Sequence, residues 1–214
     1  MLKLDIQLLG GRGSSSSSSS GGGGKPNDAT EYYVSGEGMW INNYLRGRGD
    51  FGELSANEKQ YLKELDQATN GNITNSKLFR NVNADAVFGN MTQIEYEDLK
   101  NKLVYGANDK YANATAEKFL NNTIGKTVTE KGFMSTTKDE NIAKDWGGFT
   151  GSDRPIVMEI KTNKNTKGVD LSSYDKNVSK SEAQKEVLLG RNQSYKVDNI
   201  KAKNGNIYVE VSMK

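Results

Sequence analysis

The chain is 214 residues long, carries 29 Lys and Arg against 27 Asp and Glu, and contains neither cysteine nor histidine. That length fits one domain with short appendages, and the balanced charge leaves no electrostatic footprint for nucleic acid. The missing residue types exclude disulfides, thiol nucleophiles, Ser-His-Asp catalysis and metals ligated by His or Cys, so any chemistry must run on carboxylates, hydroxyls and arginine.

Met1 to Leu9 is apolar but broken by Lys3, Asp5 and Gln7, too short and too polar for the core of a secretory signal. Residues 10–24, with serine from Ser14 to Ser20, read as a flexible linker whose span as a coil is roughly 20 Å. No stretch is long enough to cross a membrane. The rest, 25–214, reads as a single domain.

That domain begins with helices. Met39 to Arg46 places Ile41, Tyr44 and Leu45 on one face. Ser55 and Glu58 form a capping box for a helix reaching Leu65, and Thr92 with Glu95 forms a second, followed by Tyr96, Leu99 and Leu103. Another helix is expected from Asp109 to Asn121, with Gly125 suited to its end. From there the period shortens to that of strands, at 132–136, 156–161, 169–171, 186–189, 195–201 and 207–212, with one further helix opened by Thr137 to Glu140. Asn204-Gly205 between two alternating runs predicts a type I′ hairpin. Helices first and strands later argue for an α+β fold. Gly47 to Gly52 matches a dinucleotide-binding fingerprint, but it follows a helix and has no βαβ unit around it, so it reads as an interhelical turn. The Arg48-Gly49-Asp50 tripeptide within it reads as a chance occurrence.

Three segments carry the chemistry. Leu78-Phe79-Arg80-Asn81-Val82 sets an arginine on a short apolar strand, and Phe133-Met134-Ser135-Thr136-Thr137 ends another strand in hydroxyls. Gln184-Lys185-Glu186 enters the Val187-Leu188-Leu189 strand, where alternation would turn Gln184 and Glu186 to one side, roughly 7 Å apart along the chain. Alone, that last segment also fits a solvated sheet edge. Together and in this order, the three resemble the Arg–Ser–Glu class of mono-ADP-ribosyltransferases, in the clostridial exoenzyme and binary-toxin branch, over about residues 33–213. The absence of histidine sets the chain apart from the diphtheria-toxin-like His–Tyr–Glu class.

The resemblance implies an ADP-ribosyltransferase-like fold, with N-terminal helices packed on a mainly antiparallel two-sheet β core. It implies NAD as co-substrate, no metal, and a protein acceptor. Glu186 would serve the ribose as oxocarbenium character develops, Gln184 the acceptor, and Ser135 would brace the nicotinamide pocket and the glutamate. Arg80, and Arg46 on the preceding helix, would meet the NAD diphosphate, which suits arginine's two-pronged donors. Asn81 and Thr136 would flank them. The loop from Gly147 to Pro155 would close on the ligand through Phe149 or Arg154, and the segment 170–184, with Tyr174, would recognise the acceptor. Glutamine at position 184 accompanies asparagine acceptors in the Rho-modifying branch, so asparagine is the expected target. An NAD glycohydrolase would use the same residues, and a non-catalytic virion or interaction module would keep only the fold. The opening Met1 to Gly13 is similar to leaders on prophage-encoded structural proteins of Gram-positive bacteria, although an unrelated tail fits it as well. On the first reading the leader would dock the enzyme to a phage structural protein, and the enzyme would act in the cytoplasm of a target cell.

Overall fold

A computed structural model describes residues 27–33, 38–48, 52–73, 76–149, 153–172 and 184–214, with only the backbone of Glu31 and of residues 146–149. The leader, the linker, the tip of the turn after Arg48 and the acceptor segment 173–183 lie outside the described residues.

Three helices come first: α1 (Asp28–Tyr32), α2 (Gly38–Leu45) and α3 (Ala56–Ala68). The predicted box at Ser55 is formed, its hydroxyl accepting from Glu58 N–H while the Glu58 carboxylate accepts from Ser55 N–H. Such a cap stabilises a helix by about 1 kcal/mol. The strand β1 (Lys77–Asn83) follows, then α4 (Asp85–Phe88), α5 (Gln93–Tyr105) and α6 (Lys110–Thr123). Thr92 caps α5 with Glu95, and Gly106 ends it in the left-handed region at φ 69°. Asp109 caps α6 through two backbone N–H groups, each at 2.9 Å.

The remaining elements are β2 (Thr127–Glu130), β3 (Met134–Thr137), α7 (Glu140–Phe149), β4 (Pro155–Lys161), β5 (Gly168–Asp170), β6 (Glu186–Leu189), β7 (Gln193–Lys203) and β8 (Asn206–Met213). Asn204 and Gly205 both have positive φ, 51° and 77°, as a type I′ turn requires. The sequence pattern does not predict β2. Its Thr-Val-Thr-Glu sequence offers one apolar side chain, and its pairing with β7 supplies what the pattern lacks.

The strands follow one ladder in the order β2-β7-β8-β4-β1-β3-β6-β5, antiparallel at every pairing except β4 with β8. The ladder has a weak joint. β1 pairs with β4 along its whole length but meets β3 only at Phe79 opposite Thr137. Met134, Val187 and Leu189 from the three-strand half nevertheless join Leu78, Ile156, Met158 and Val209 from the five-strand half in one apolar cluster, which α5 and α6 extend. The two halves therefore act as two sheets folded over a shared core. A second cluster, with Tyr33, Ile41, Leu65, Phe133 and Leu188, seats α1 to α3 against the smaller half. Among the described residues, no helix is long and apolar enough to cross a membrane.

Candidate active site

The site forms where β1 and β3 part. Continuing their register beyond Phe79 would set Arg80 opposite Thr136 and Asn81 opposite Ser135, but the pairing ends at Phe79. Strand alternation places Arg80 on the same face as Leu78 and Val82, both core residues. Arg80 is consequently only 1% exposed. Among the described residues, its Nε, Nη1 and Nη2 have no hydrogen-bond partner, and neither has Asn81 Oδ1. Burial, with Arg46 adding to it, lowers the Arg80 pKa to about 10, so the side chain stays charged at neutral pH. Glu130, Tyr33 and Tyr195 act in the opposite direction. A buried cation with three unpartnered donor nitrogens is costly, which makes Arg80 a candidate ligand contact.

Across the gap, Glu186 lies opposite Thr137 and Ser135 opposite Leu188. Ser135 and Glu186 therefore share a face as diagonal neighbours. Both are buried. Tyr33, fully buried at the end of α1, ties the two sides together. Its pKa is pushed up to about 12 by burial, against the Ser135 hydroxyl beside it. The Glu186 carboxylate raises it further, whereas Arg46 and Arg80 oppose the rise. One phenol thus feels both arginines, the serine and the glutamate.

Arg46, just past the end of α2, is held from β2 and the loop after it. Its Nε meets Glu130 Oε1 at 2.9 Å and its Nη2 reaches Phe133 O at 3.5 Å. Asn42, one turn earlier, accepts from Phe133 N–H at 2.8 Å and donates to the Tyr33 hydroxyl at 2.7 Å. Gly132 permits this approach, since a Cβ there would lie 2.5 Å from Asn42 Oδ1 and 3.1 Å from the Arg46 guanidinium.

Through Tyr33 the fold thus brings Arg80, Arg46, Ser135 and Glu186 into one neighbourhood, whereas Asn81, next to Arg80 on β1, turns to the face of Phe79. It does not bring every expected residue there. The Thr136 hydroxyl donates to Val187 O at 2.6 Å, on the strand face opposite to Ser135, and so staples β3 to β6. Arg154 lies at the far end of β1. It pairs with Asp85 at 3.1 Å and Asp153 at 3.3 Å and donates to Met91 O, so its guanidinium is already occupied. The Phe149 side chain lies outside the described residues. Gln184 precedes β6 and is not part of it. Lys185 adopts φ +48°, so simple alternation does not relate Gln184 to Glu186 as expected. That kink is fixed by Thr137 Oγ1 donating to Gln184 O at 2.6 Å, by Lys138 N–H donating to Lys185 O at 3.2 Å, and by the Lys185–Asp139 ion pair at 2.8 Å. Tyr33, Asn42, Glu130 and Tyr195 lie beside the candidate residues, and sequence reasoning missed them. Only Asn42 carried a signal, its position one helical turn before Arg46.

Over residues 25–214 the sequence matches the family model of the ADP-ribosyltransferase exoenzymes. The chain belongs to this family. It is therefore an NAD-dependent mono-ADP-ribosyltransferase with NAD as co-substrate, an enzyme class that acts on proteins. No curated protein matches the sequence significantly. The structure resembles that of C3stau2 from S. aureus, solved with NAD, at 23% identity and TM-score 0.65, covering 87% of this chain and 84% of the other. An ADP-ribosyltransferase from Clostridium botulinum matches at 26% identity and TM-score 0.60 with the same coverage. The ADP-ribosylating toxin BECa of a C. perfringens binary enterotoxin, solved with NADH, matches at 16% identity and TM-score 0.56, covering 87% of this chain and 42% of that one. Among the described residues, no cluster of His, Cys, Asp or Glu is placed to hold a metal ion.

Proposed function

We propose that this transferase binds the NAD diphosphate through Arg80 and Arg46, holds the ribose through Glu186, and modifies an asparagine presented to Gln184. The observation that carries this reading is the buried Arg80 guanidinium, whose three partnerless nitrogens suit a diphosphate. NAD supplies a leaving group that is already cationic and departs neutral, so the protein needs no general acid. The Glu186 carboxylate then stabilises positive charge growing on the ribose. Ser135, on the same face, positions that carboxylate and borders the nicotinamide, while Asn81 offers its side-chain oxygen at the rim. Gln184, half-buried and held by its own carbonyl, presents an amide that hydrogen-bonds a neutral acceptor; unlike glutamate it cannot pair with a guanidinium or take its proton. In the same reading the leader tethers the enzyme to a phage structural protein, and the enzyme works in the cytoplasm of the target cell.

The test is incubation with labelled NAD and bacterial or eukaryotic lysate, followed by mass spectrometry of the labelled protein. ADP-ribose on asparagine is expected, and Gln184→Ala should cut protein transfer while sparing NAD hydrolysis. ADP-ribose on arginine would refute the acceptor assignment, and free ADP-ribose alone would show water to be the acceptor.

A further inference from the structure

We infer that Glu130 is a positioning residue for NAD binding: its buried carboxylate holds the Arg46 guanidinium in place before NAD arrives. The inference rests on the reading of Arg46 as a diphosphate contact.

Glu130 ends β2, an edge strand with little apolar content, yet its side chain is only 3% exposed. One oxygen, Oε1, accepts from Arg46 Nε at 2.9 Å and from Gly132 N–H at 2.7 Å. The carboxylate thereby joins the helix bearing Arg46 to the loop that enters the Ser135 strand. It bonds Arg46 through Nε, so the terminal nitrogens are not taken up by the carboxylate. Its charge also reaches Arg80, which it favours in the protonated form, and Tyr195, whose pKa it helps to raise to about 12 after the larger effect of burial. Glu130 thus holds Arg46 at Nε, away from the terminal nitrogens that would meet the diphosphate.

Reach and charge can be separated by substitution. Glu130→Gln keeps the reach, because an amide oxygen still accepts from Arg46 and Gly132, but loses the charge. Glu130→Asp keeps the charge and withdraws it by about 1.5 Å, one carbon–carbon bond. If the residue positions Arg46, Glu130→Asp should raise the KM for NAD roughly tenfold, the worth of a charge-assisted hydrogen bond. Glu130→Gln should stay within about threefold of the parent KM, since the weaker bond is offset by the more positive site. In both variants kcat at saturating NAD should change less than about twofold. A lower kcat with KM unchanged in both would make Glu130 merely structural, and a larger KM rise for Gln than for Asp would make its charge, not its reach, the determinant. Either result overturns the inference at Glu130. Arg46→Lys, measured alongside, should also raise KM. An unchanged KM there overturns the premise about Arg46 and is distinguishable from a failure at Glu130.

Discussion

Arg80 shows at the scale of one residue how the sequence encodes the site. Between Leu78 and Val82 it occupies a position that strand periodicity reserves for an apolar side chain, and the buried guanidinium there has no hydrogen-bond partner among the described residues. Arg80→Lys keeps the charge but loses the two-pronged donor, so it should weaken NAD binding more than it slows turnover at saturating NAD. A titration followed by steady-state kinetics checks this, and unchanged affinity with collapsed turnover would remove Arg80 from the diphosphate. The strand positions of Arg80, Ser135 and Glu186 were legible in the sequence because each sits at a fixed place on a short, recognisable strand. Glu130 and Tyr33 were not. A glutamate in Thr-Glu-Lys-Gly and a tyrosine in Glu-Tyr-Tyr look like surface residues, and only packing of distant elements encloses them. The relation of Gln184 to Glu186 departs from strand alternation for a local reason: Lys185 occupies the left-handed region, which a strand pattern does not anticipate.

Among the elements, the decisive feature is how little β1 and β3 pair. Their single paired position, Phe79 with Thr137, keeps the two halves connected while leaving Arg80 and Ser135 outside the ladder between these strands. A lock then joins α2 to the end of β2 and the start of β3, through Arg46 on Glu130 and Asn42 on the Phe133 backbone. Gly132 lies in the middle of this lock. Gly132→Ala would drive a methyl into Asn42 and Arg46, and overpacking of this kind costs about 1–3 kcal/mol. Denaturant unfolding should show that loss together with a raised KM for NAD; full stability would mean that the loop shifts freely and the lock is loose. The helices and their caps were readable because Ser55, Thr92 and Asp109 act locally. The joint between the sheets was not, since strand order depends on contacts far apart in sequence. β2 is hidden from the pattern for the same reason.

For the whole molecule, the described core and every proposed site residue lie beyond the Gly/Ser run. Such a run cannot bury enough apolar surface to add to a core. A chain beginning at Lys25 should therefore keep full NAD cleavage, and a large loss on truncation would show that residues 1–9 pack on the enzyme. The α+β class was visible in the order of helices and strands, and the enzyme class in three motifs whose chemistry needs no histidine. The proposed acceptor rests on Gln184 alone. What unites these levels is one claim, that Glu186 acts on the reacting ribose while the arginines across the gap provide binding. Glu186→Gln tests it most directly, with NAD affinity measured by calorimetry and cleavage by nicotinamide release. The account predicts nearly unchanged affinity with both transfer and hydrolysis reduced about 100- to 1000-fold; cleavage close to the parent rate would contradict it.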